Sequence, residues 1–156
     1  MPDTVVAAQM YTLREFTKTP ADIANSLKRV SEIGYHAVQL SGLGPIEPAE
    51  VKAICDGEGL AICATHVSYD RLHDETDAVI KEHKVLDCKY PAIGGLPQPY
   101  REDGATGFIK FAKEASEVGR KLADAGLTFG YHNHSFELEK FDGRTALQIL
   151  FDESDP

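Results

Sequence analysis

Short apolar runs alternate with amphipathic segments along the whole chain. Segment 20–33 shows the helical pattern clearly: Thr19 suits an N-cap, Pro20 the first helical position, and Gly34 a helix stop. Its apolar residues recur at three- and four-residue spacing, whereas the intervening runs are short and almost entirely apolar, as in buried strands. The predicted strands are 5–10, 36–40, 60–66, 90–95 and 127–134, and the predicted helices are 20–33, 48–56, 74–86, 108–125 and 142–150. Residues 96–104 are predicted to be a long polar loop, and Pro91, Gly94 and Gly95 are unfavourable in the strand before it.

Five consecutive βα units predict an α/β protein with a parallel sheet and helical crossovers. One interpretation is a flavodoxin-like, doubly wound sheet of five strands. The other is the first five units of a (β/α)₈ barrel, a fold of about 250 residues. A doubly wound sheet usually carries a glycine-rich loop after its first strand, but residues 11–16 contain no glycine. We therefore expect residues 1–156 to form a single, partial barrel domain, with the flavodoxin-like sheet as the alternative.

The composition of the chain disfavours several classes of binding partner. A formal net charge of -9 disfavours binding to nucleic acid and to anionic membrane surfaces. No apolar run approaches the roughly 20 residues that span a bilayer, and the N-terminus lacks a basic signal-peptide segment. The chain has three cysteines, Cys55, Cys63 and Cys88, whose spacing matches no zinc module. Their odd number does not suggest a set of disulfides, which favours a reducing compartment. We therefore expect a cytoplasmic protein that binds neither membrane nor nucleic acid.

Polar residues lie where most of the predicted strands end, which is where parallel α/β folds place their chemistry. The densest cluster follows the fifth strand, where His132 and His134 are two residues apart and should point to the same side. Glu137 comes just after them, and imidazole with carboxylate suits zinc, manganese, iron or cobalt. The alternative is that both histidines only bond to loop carbonyls. In or next to the third predicted helix, His73 and His83 are expected to face solvent.

Several of these segments resemble the sugar phosphate isomerase/epimerase family of xylose isomerase-like TIM barrels, which also include endonuclease IV and inosose dehydratase. Residues 9–14 (QMYTLR), 34–40 (GYHAVQL) and 64–66 (ATH) are similar to the first three strands of that family. Residues 131–137 (YHNHSFE) give the most specific match. The resemblance covers essentially the whole chain and implies a barrel whose metal ligands come from strands five to eight, of which this chain holds strand five.

The resemblance implies metal-assisted proton transfer next to a carbonyl, through an enediolate, on a small carbohydrate or sugar phosphate. The metal, drawn from Mn, Mg, Zn or Co, would be bound by His132, His134 or Glu137, and Glu137 would also act as the catalytic acid and base. Gln9, Gln39 and His66 would hold sugar hydroxyls. Keto-sugar or inosose dehydration on the same scaffold is an alternative. Another is a non-catalytic half-barrel that binds a sugar-like ligand or self-associates, since open sheet edges favour a homo-oligomer.

Overall fold

The computed structural model describes residues 6–155, so Val5 of the first predicted strand lies outside the described residues. Within that range the chain forms two compact units, residues 6–66 with 78–91, and residues 67–77 with 92–155. The strands are β1 (Ala8–Gln9), β2 (Ala37–Leu40), β3 (Ala61–His66), β4 (Pro91–Ile93), β5 (Gly130–Tyr131), β6 (Lys140–Phe141) and β7 (Arg144–Thr145). The helices are α1 (Pro20–Ile33), α2 (Pro48–Gly57), α3 (Tyr69–Asp74), α4 (Thr76–Leu86), α5 (Gln98–Glu102), α6 (Gly104–Asp124) and α7 (Ala146–Glu153), with 3₁₀ helices at Met10–Phe16 and Phe136–Leu138.

The main sheet has five parallel strands in the sequential order β1-β2-β3-β4-β5. A flavodoxin-like sheet has its first two strands exchanged, in the order 2-1-3-4-5. The observed order therefore excludes the doubly wound alternative and confirms the barrel-type interpretation. It also places the carboxyl ends of neighbouring strands at one edge of the sheet, because parallel strands share their direction.

Local sequence chemistry forms α1 as predicted. The Thr19 side chain accepts a hydrogen bond from the Asp22 backbone nitrogen at 3.2 Å, and the Asp22 carboxylate accepts one from the Thr19 nitrogen at 3.1 Å. Gly34 ends the helix with φ of 108°, a conformation that favours glycine. The buried face of α1 then joins the apolar core of the first unit. That core comprises Met10, Ile23, Leu27, Val30, Val38, Leu40, Val51, Cys55, Leu60, Ile62, Leu86 and Cys88.

A buried histidine ties α4 to β3 in the first unit. His83 Nδ1 lies 2.8 Å from the Val79 carbonyl oxygen and Nε2 lies 2.7 Å from the Thr65 hydroxyl. The carbonyl only accepts, so Nδ1 carries the proton and Nε2 accepts from Thr65. The prediction that His83 faces solvent is therefore wrong, since only 2% of the residue is exposed, whereas His73 is exposed as expected.

The second unit is built around α6. Its buried residues follow helical spacing, as predicted, and α6 packs against α3, α5 and α7. The predicted loop 96–104 instead contains the short helix α5. The predicted helix 74–86 corresponds to α4, and the short helix α3 before it was not predicted. Residues 142–145, expected to open the last helix, form the turn and the second strand of a hairpin, and the turn residues Asp142 and Gly143 have φ of 49° and 87°. No helix within residues 6–155 is both long and apolar enough to cross a membrane.

Candidate functional site

The predicted sugar-binding residues of the first unit lie at the carboxyl ends of its strands. Gln9 and Gln39 are register partners in the parallel pair β1 and β2, so their side chains leave the sheet on the same side. Gln9 is exposed and Gln39 half-buried. His66 is the last residue of β3 and is also half-buried. Their roles in binding sugar hydroxyls stay predictions.

In the second unit, the histidine pair follows β5 as the sequence predicts. The His132 backbone nitrogen donates to the Ile93 carbonyl oxygen at 3.1 Å, which extends the pairing of β5 with β4 by one residue. The rings of His132 and His134 stand edge to face with centroids 4.9 Å apart. His134 also stacks on the Phe136 ring at a centroid distance of 5.7 Å and an interplanar angle of 11°. Two imidazoles therefore stand side by side at the carboxyl end of β5.

Glu137 is placed to hold this segment in position. Its side chain is fully buried, at 0% exposure. One carboxylate oxygen accepts from the Tyr131 hydroxyl at 2.6 Å, and the other accepts from the His134 backbone nitrogen at 2.7 Å. The carboxylate thus closes a bridge from β5 to the backbone of His134. This arrangement favours a positioning role for Glu137 over the catalytic role expected from the sequence.

Aromatic packing keeps the Tyr131 phenol oriented toward Glu137. The Tyr131 ring lies 5.9 Å from that of Phe111, which in turn packs against Tyr69 at 4.9 Å and Tyr100 at 5.4 Å. Burial, together with the hydrogen bond to Glu137, raises the pKa of Tyr131 well above its ordinary value. Tyr131 consequently remains a neutral hydroxyl that donates to Glu137 across the physiological pH range.

A pocket of about 700 Å³ opens beside His134, entirely within the second unit. Its size suits a small organic ligand. The residues that line it come from the segments after β3, β4 and β5, together with α5. They are Val67, Ser68, Tyr69, Asp70, Ile93, Gly94, Gly95, Leu96, Pro97, Arg101, His134, Ser135 and Phe136.

Gly95 brings the chain after β4 against the His134 ring. It has φ of 153°, and a Cβ at this position would lie 3.0 Å from His134 Cε1 and 3.3 Å from Nδ1. A side chain here therefore meets both backbone strain and the imidazole. Sequence reasoning treated residues 94 and 95 only as glycines that weaken a strand prediction.

Replacing Gly95 by alanine is expected to destabilise the protein by about 1–3 kcal/mol, because a non-glycine residue is strained at this φ. The new methyl group should also displace the His134 ring, which histidine side-chain NMR signals would report. Chemical denaturation gives the stability change. Gly57→Ala is the matched control, since a Cβ there meets nothing within 4 Å. Equal stability of the two variants would contradict the assigned contact.

The predicted metal ligands do not form a complete metal centre on their own. Glu137 is fully buried, with its oxygens directed at the Tyr131 hydroxyl and the His134 backbone nitrogen. The two imidazoles then remain as donors at the end of β5, whereas a protein zinc site normally has at least three protein ligands. Across residues 6–155, no group of three or more His, Cys, Asp or Glu side chains is arranged to hold a metal ion. These residues alone therefore do not complete a metal centre, and metal binding stays a prediction.

Of the residues that line this pocket, only His134 was predicted from the sequence, and Arg101 and Phe136 are among those missed. Arg101 lies in a segment predicted to be a polar loop, and its guanidinium carbon stands 4.3 Å from the centre of the Phe136 ring. Phe136 lies inside the motif 131–137, in which the two histidines and the glutamate are the residue types that bind metals or transfer protons. A phenylalanine does neither, so it was not a candidate. The contact joins residues 35 positions apart in the sequence, so local patterns do not reveal it.

Comparison with known proteins identifies the fold. No protein-family model matches the chain, and no curated protein matches its sequence. Among solved structures, a sugar phosphate isomerase/epimerase from Parabacteroides distasonis superposes with a TM-score of 0.78 at 20% identity, covering 96% of this chain and 65% of the other. A second one from the same organism gives 0.70 at 22% identity, covering 99% and 64%. A xylose isomerase domain containing protein from Salmonella typhimurium gives 0.54 at 11%, covering 83% and 49%.

These neighbours agree with the resemblance found in residues 131–137 and in the first three strands. The chain spans about 65% and 64% of the length of the first two structures. At identities between 11% and 22% the similarity concerns the fold. The chain therefore has the α/β fold of TIM-barrel-like proteins of the sugar phosphate isomerase/epimerase and xylose isomerase-like kind.

Proposed function

We propose that this chain belongs to a protein that binds a small carbohydrate and transfers a proton next to its carbonyl group, as a sugar isomerase or epimerase does. One observation carries the proposal: His132 and His134 stand side by side where β5 ends, and His134 borders a pocket of about 700 Å³. In TIM-barrel enzymes the active site lies at this end of the strands. The names of two structural neighbours, sugar phosphate isomerase/epimerase, support the same reaction class.

Histidine is the side chain that most often acts as a general acid or base. In the proposed reaction, one imidazole removes the proton from the carbon beside the substrate carbonyl, which leaves an enediolate and an imidazolium. Return of the proton to the former carbonyl carbon, with transfer of the hydroxyl proton to the former carbonyl oxygen, gives the isomer. Return of the proton to the opposite face of the same carbon gives the epimer. Dehydration of a keto-sugar begins with the same proton removal, so analysis of the products separates the three reactions.

Hydrogen-bond donors near the histidines support this assignment. The Ser68 hydroxyl accepts from the Arg71 backbone nitrogen at 3.4 Å, which leaves its own proton available to a ligand oxygen. Ser135 is exposed and lies on the same pocket. Such hydroxyls are suited to the oxygen on which charge develops as the proton leaves carbon.

Solvent exchange tests the proposal directly. The chain is incubated in ²H₂O with ketoses and aldoses, free and phosphorylated, and ¹H NMR follows loss of the signal from the carbon beside the carbonyl. We expect exchange that falls at least about 100-fold in His134→Gln, the usual contribution of a general acid or base. His36→Gln, which precedes β2 in the first unit, is the matched control and should leave the rate unchanged.

The same experiment with a chelator, and then with added Mn²⁺, Mg²⁺, Zn²⁺ or Co²⁺, tests the predicted metal dependence. Loss of exchange with the chelator and its return with one ion would establish that dependence. No deuterium incorporation into any sugar, with or without these ions, would refute the proposed function.

A further inference from the structure

The backbone of His134 is held by hydrogen bonds, but its exposed imidazole is not. The bond to Glu137 uses the His134 backbone nitrogen, and the His134 carbonyl oxygen accepts from the Asn133 side chain at 3.3 Å. No side-chain hydrogen bond found within residues 6–155 involves a ring nitrogen of His134. A catalytic histidine is commonly oriented by a hydrogen bond to its second ring nitrogen. Other contacts therefore have to orient this ring.

Aromatic contacts restrict the His134 ring instead. The Phe136 ring lies parallel to it, with an interplanar angle of 11° and a centroid distance of 5.7 Å. The His132 ring stands edge to face with it at 4.9 Å. Offset stacking is a favourable arrangement of two aromatic rings. Rotation of the imidazole about the bond that carries it would tilt it out of the parallel stack, so contact with Phe136 favours one plane of the ring.

The position of the Phe136 ring depends in turn on α5. Phe136 is half-buried and begins the 3₁₀ helix Phe136–Leu138. The guanidinium carbon of Arg101 lies 4.3 Å from the centre of its ring, where a cation is attracted to the aromatic face. A planar guanidinium also stacks on such a face, which an ammonium does not. Arg101 therefore limits the rotation of the ring on which His134 stacks.

The stack of Arg101, Phe136 and His134 contributes little to the core of the second unit. Arg101 and His134 are exposed, and Phe136 is only half-buried. Exposed cation–π contacts are weak, so the stability of the fold does not account for this arrangement. All three residues line the pocket of about 700 Å³. The effect of the stack is therefore to fix the plane of the imidazole that borders this pocket.

We propose that Phe136 is a positioning residue for His134, and that Arg101 acts through Phe136 by holding its ring against the imidazole. The stack takes the place of the hydrogen-bonding partner of a catalytic histidine, and it leaves both ring nitrogens available for proton transfer. This proposal rests on the proposed function, since it assigns both residues to the reaction of His134. The stack itself can be measured without a substrate.

Proton NMR of the full chain measures the stack directly. The ring current of Phe136 shifts the signals of the carbon-bound imidazole protons of His134, which are assigned by their loss in His134→Gln. Phe136→Leu keeps an apolar side chain without the ring and should move these signals toward those of free histidine, whereas Phe136→Tyr should retain them. Arg101→Gln should move them part of the way. Arg101→Lys, which keeps the charge but loses the planar group, should fall between Arg101→Gln and the parent.

Proton exchange in ²H₂O measures the consequence for the proposed reaction. At saturating sugar we expect the rate to fall about tenfold in Phe136→Leu and about threefold in Arg101→Gln, because a misplaced catalytic group reacts more slowly. Phe136→Tyr should stay within about twofold of the parent. Lys110→Gln is the matched control, since it removes the cation that lies 5.6 Å from the Tyr100 ring in the same unit. It should change neither the His134 signals nor the rate.

The outcomes separate this proposal from the proposed function. His134 signals that are the same in Phe136→Leu and Arg101→Gln as in the parent would overturn the stack, whatever the sugars show. Altered signals with the parent exchange rate would overturn the positioning role. Absence of exchange by the parent on every sugar would refute the proposed function, and altered signals would then still support the orientation of the imidazole by Phe136. Chemical denaturation checks that each variant is folded, and Arg101→Gln, at an exposed position, supplies the test if Phe136→Leu unfolds.

Discussion

Replacing Gly107 by alanine is expected to lower the free energy of unfolding more than any other substitution proposed for this protein. A Cβ at Gly107 would lie 1.8 Å from the Tyr100 carbonyl oxygen and 2.7 Å from its carbonyl carbon. These are backbone atoms of α5, so no side-chain rotation relieves the clash, and α5 and α6 must separate. Overpacking of a filled site commonly costs 1–3 kcal/mol, and we expect a loss of at least about 3 kcal/mol here.

The same helix supplies the control for that experiment. At Gly119, also in α6, the nearest atom to an added Cβ is the Phe129 Cβ at 3.9 Å, an ordinary contact. Gly119→Ala should therefore raise the free energy of unfolding by up to about 1 kcal/mol through helix propensity. Denaturant titration of both variants measures effects of opposite sign. A Gly107→Ala protein as stable as the parent would show that α5 and α6 do not approach this closely.

The contrast between α1 and α6 shows which parts of the fold the sequence could predict. Thr19, Pro20, Asp22 and Gly34 act on residues within one turn of themselves, so their spacing alone located both ends of α1. The close approach of Gly107 to Tyr100 depends on the path of α5, which appeared in the sequence as a polar loop. Local chemistry predicted the helix ends, whereas packing between helices required the structure.

The error at His83 had a signal that sequence reasoning overlooked. Thr76, Val79, His83 and Leu86 are all buried and lie at three- and four-residue spacing along α4. The charged residues between them, including Lys81 and Lys84, are typical of a solvent-exposed helix face and favour the opposite interpretation. A histidine in register with an apolar stripe is better interpreted as a buried group with hydrogen-bond partners, here Thr65 and the Val79 carbonyl.

For the candidate site, the sequence could predict that the two histidines lie together, and the roles of the site residues stay predictions. Period-two alternation placed His132 and His134 together, as the structure has them. For Glu137, proximity to the histidines suggested a ligand or an acid–base group. Its burial follows from the 3₁₀ turn at Phe136–Leu138 and from the position of the Tyr131 phenol, neither of which a one-dimensional pattern contains.

Replacing Glu137 by alanine is expected to reduce both stability and proton exchange. The change removes the acceptors of the Tyr131 hydroxyl and of the His134 backbone nitrogen. Hydrogen bonds to charged groups contribute about 1.5–3 kcal/mol each, and the relief of carboxylate burial offsets part of their loss. We therefore expect a net destabilisation of about 2 kcal/mol. Exchange should fall by at least about tenfold under conditions where the variant stays folded, because His134 loses its anchor.

Two further variants separate positioning from direct catalysis. Glutamine keeps the shape of Glu137 but offers one acceptor where two donors converge, so Glu137→Gln should lose one hydrogen bond and retain part of the exchange activity. Tyr131→Phe leaves the carboxylate and removes one donor, and should cost less than Glu137→Ala in both stability and rate. Glu139→Gln, at an exposed neighbouring position, is the control. One result would contradict the positioning role: Glu137→Gln loses all exchange activity, Tyr131→Phe keeps the parent rate, and the His134 ring does not move. Glu137 would then act on the substrate itself, because only a carboxylate that transfers a proton is that sensitive to replacement by an amide of the same shape.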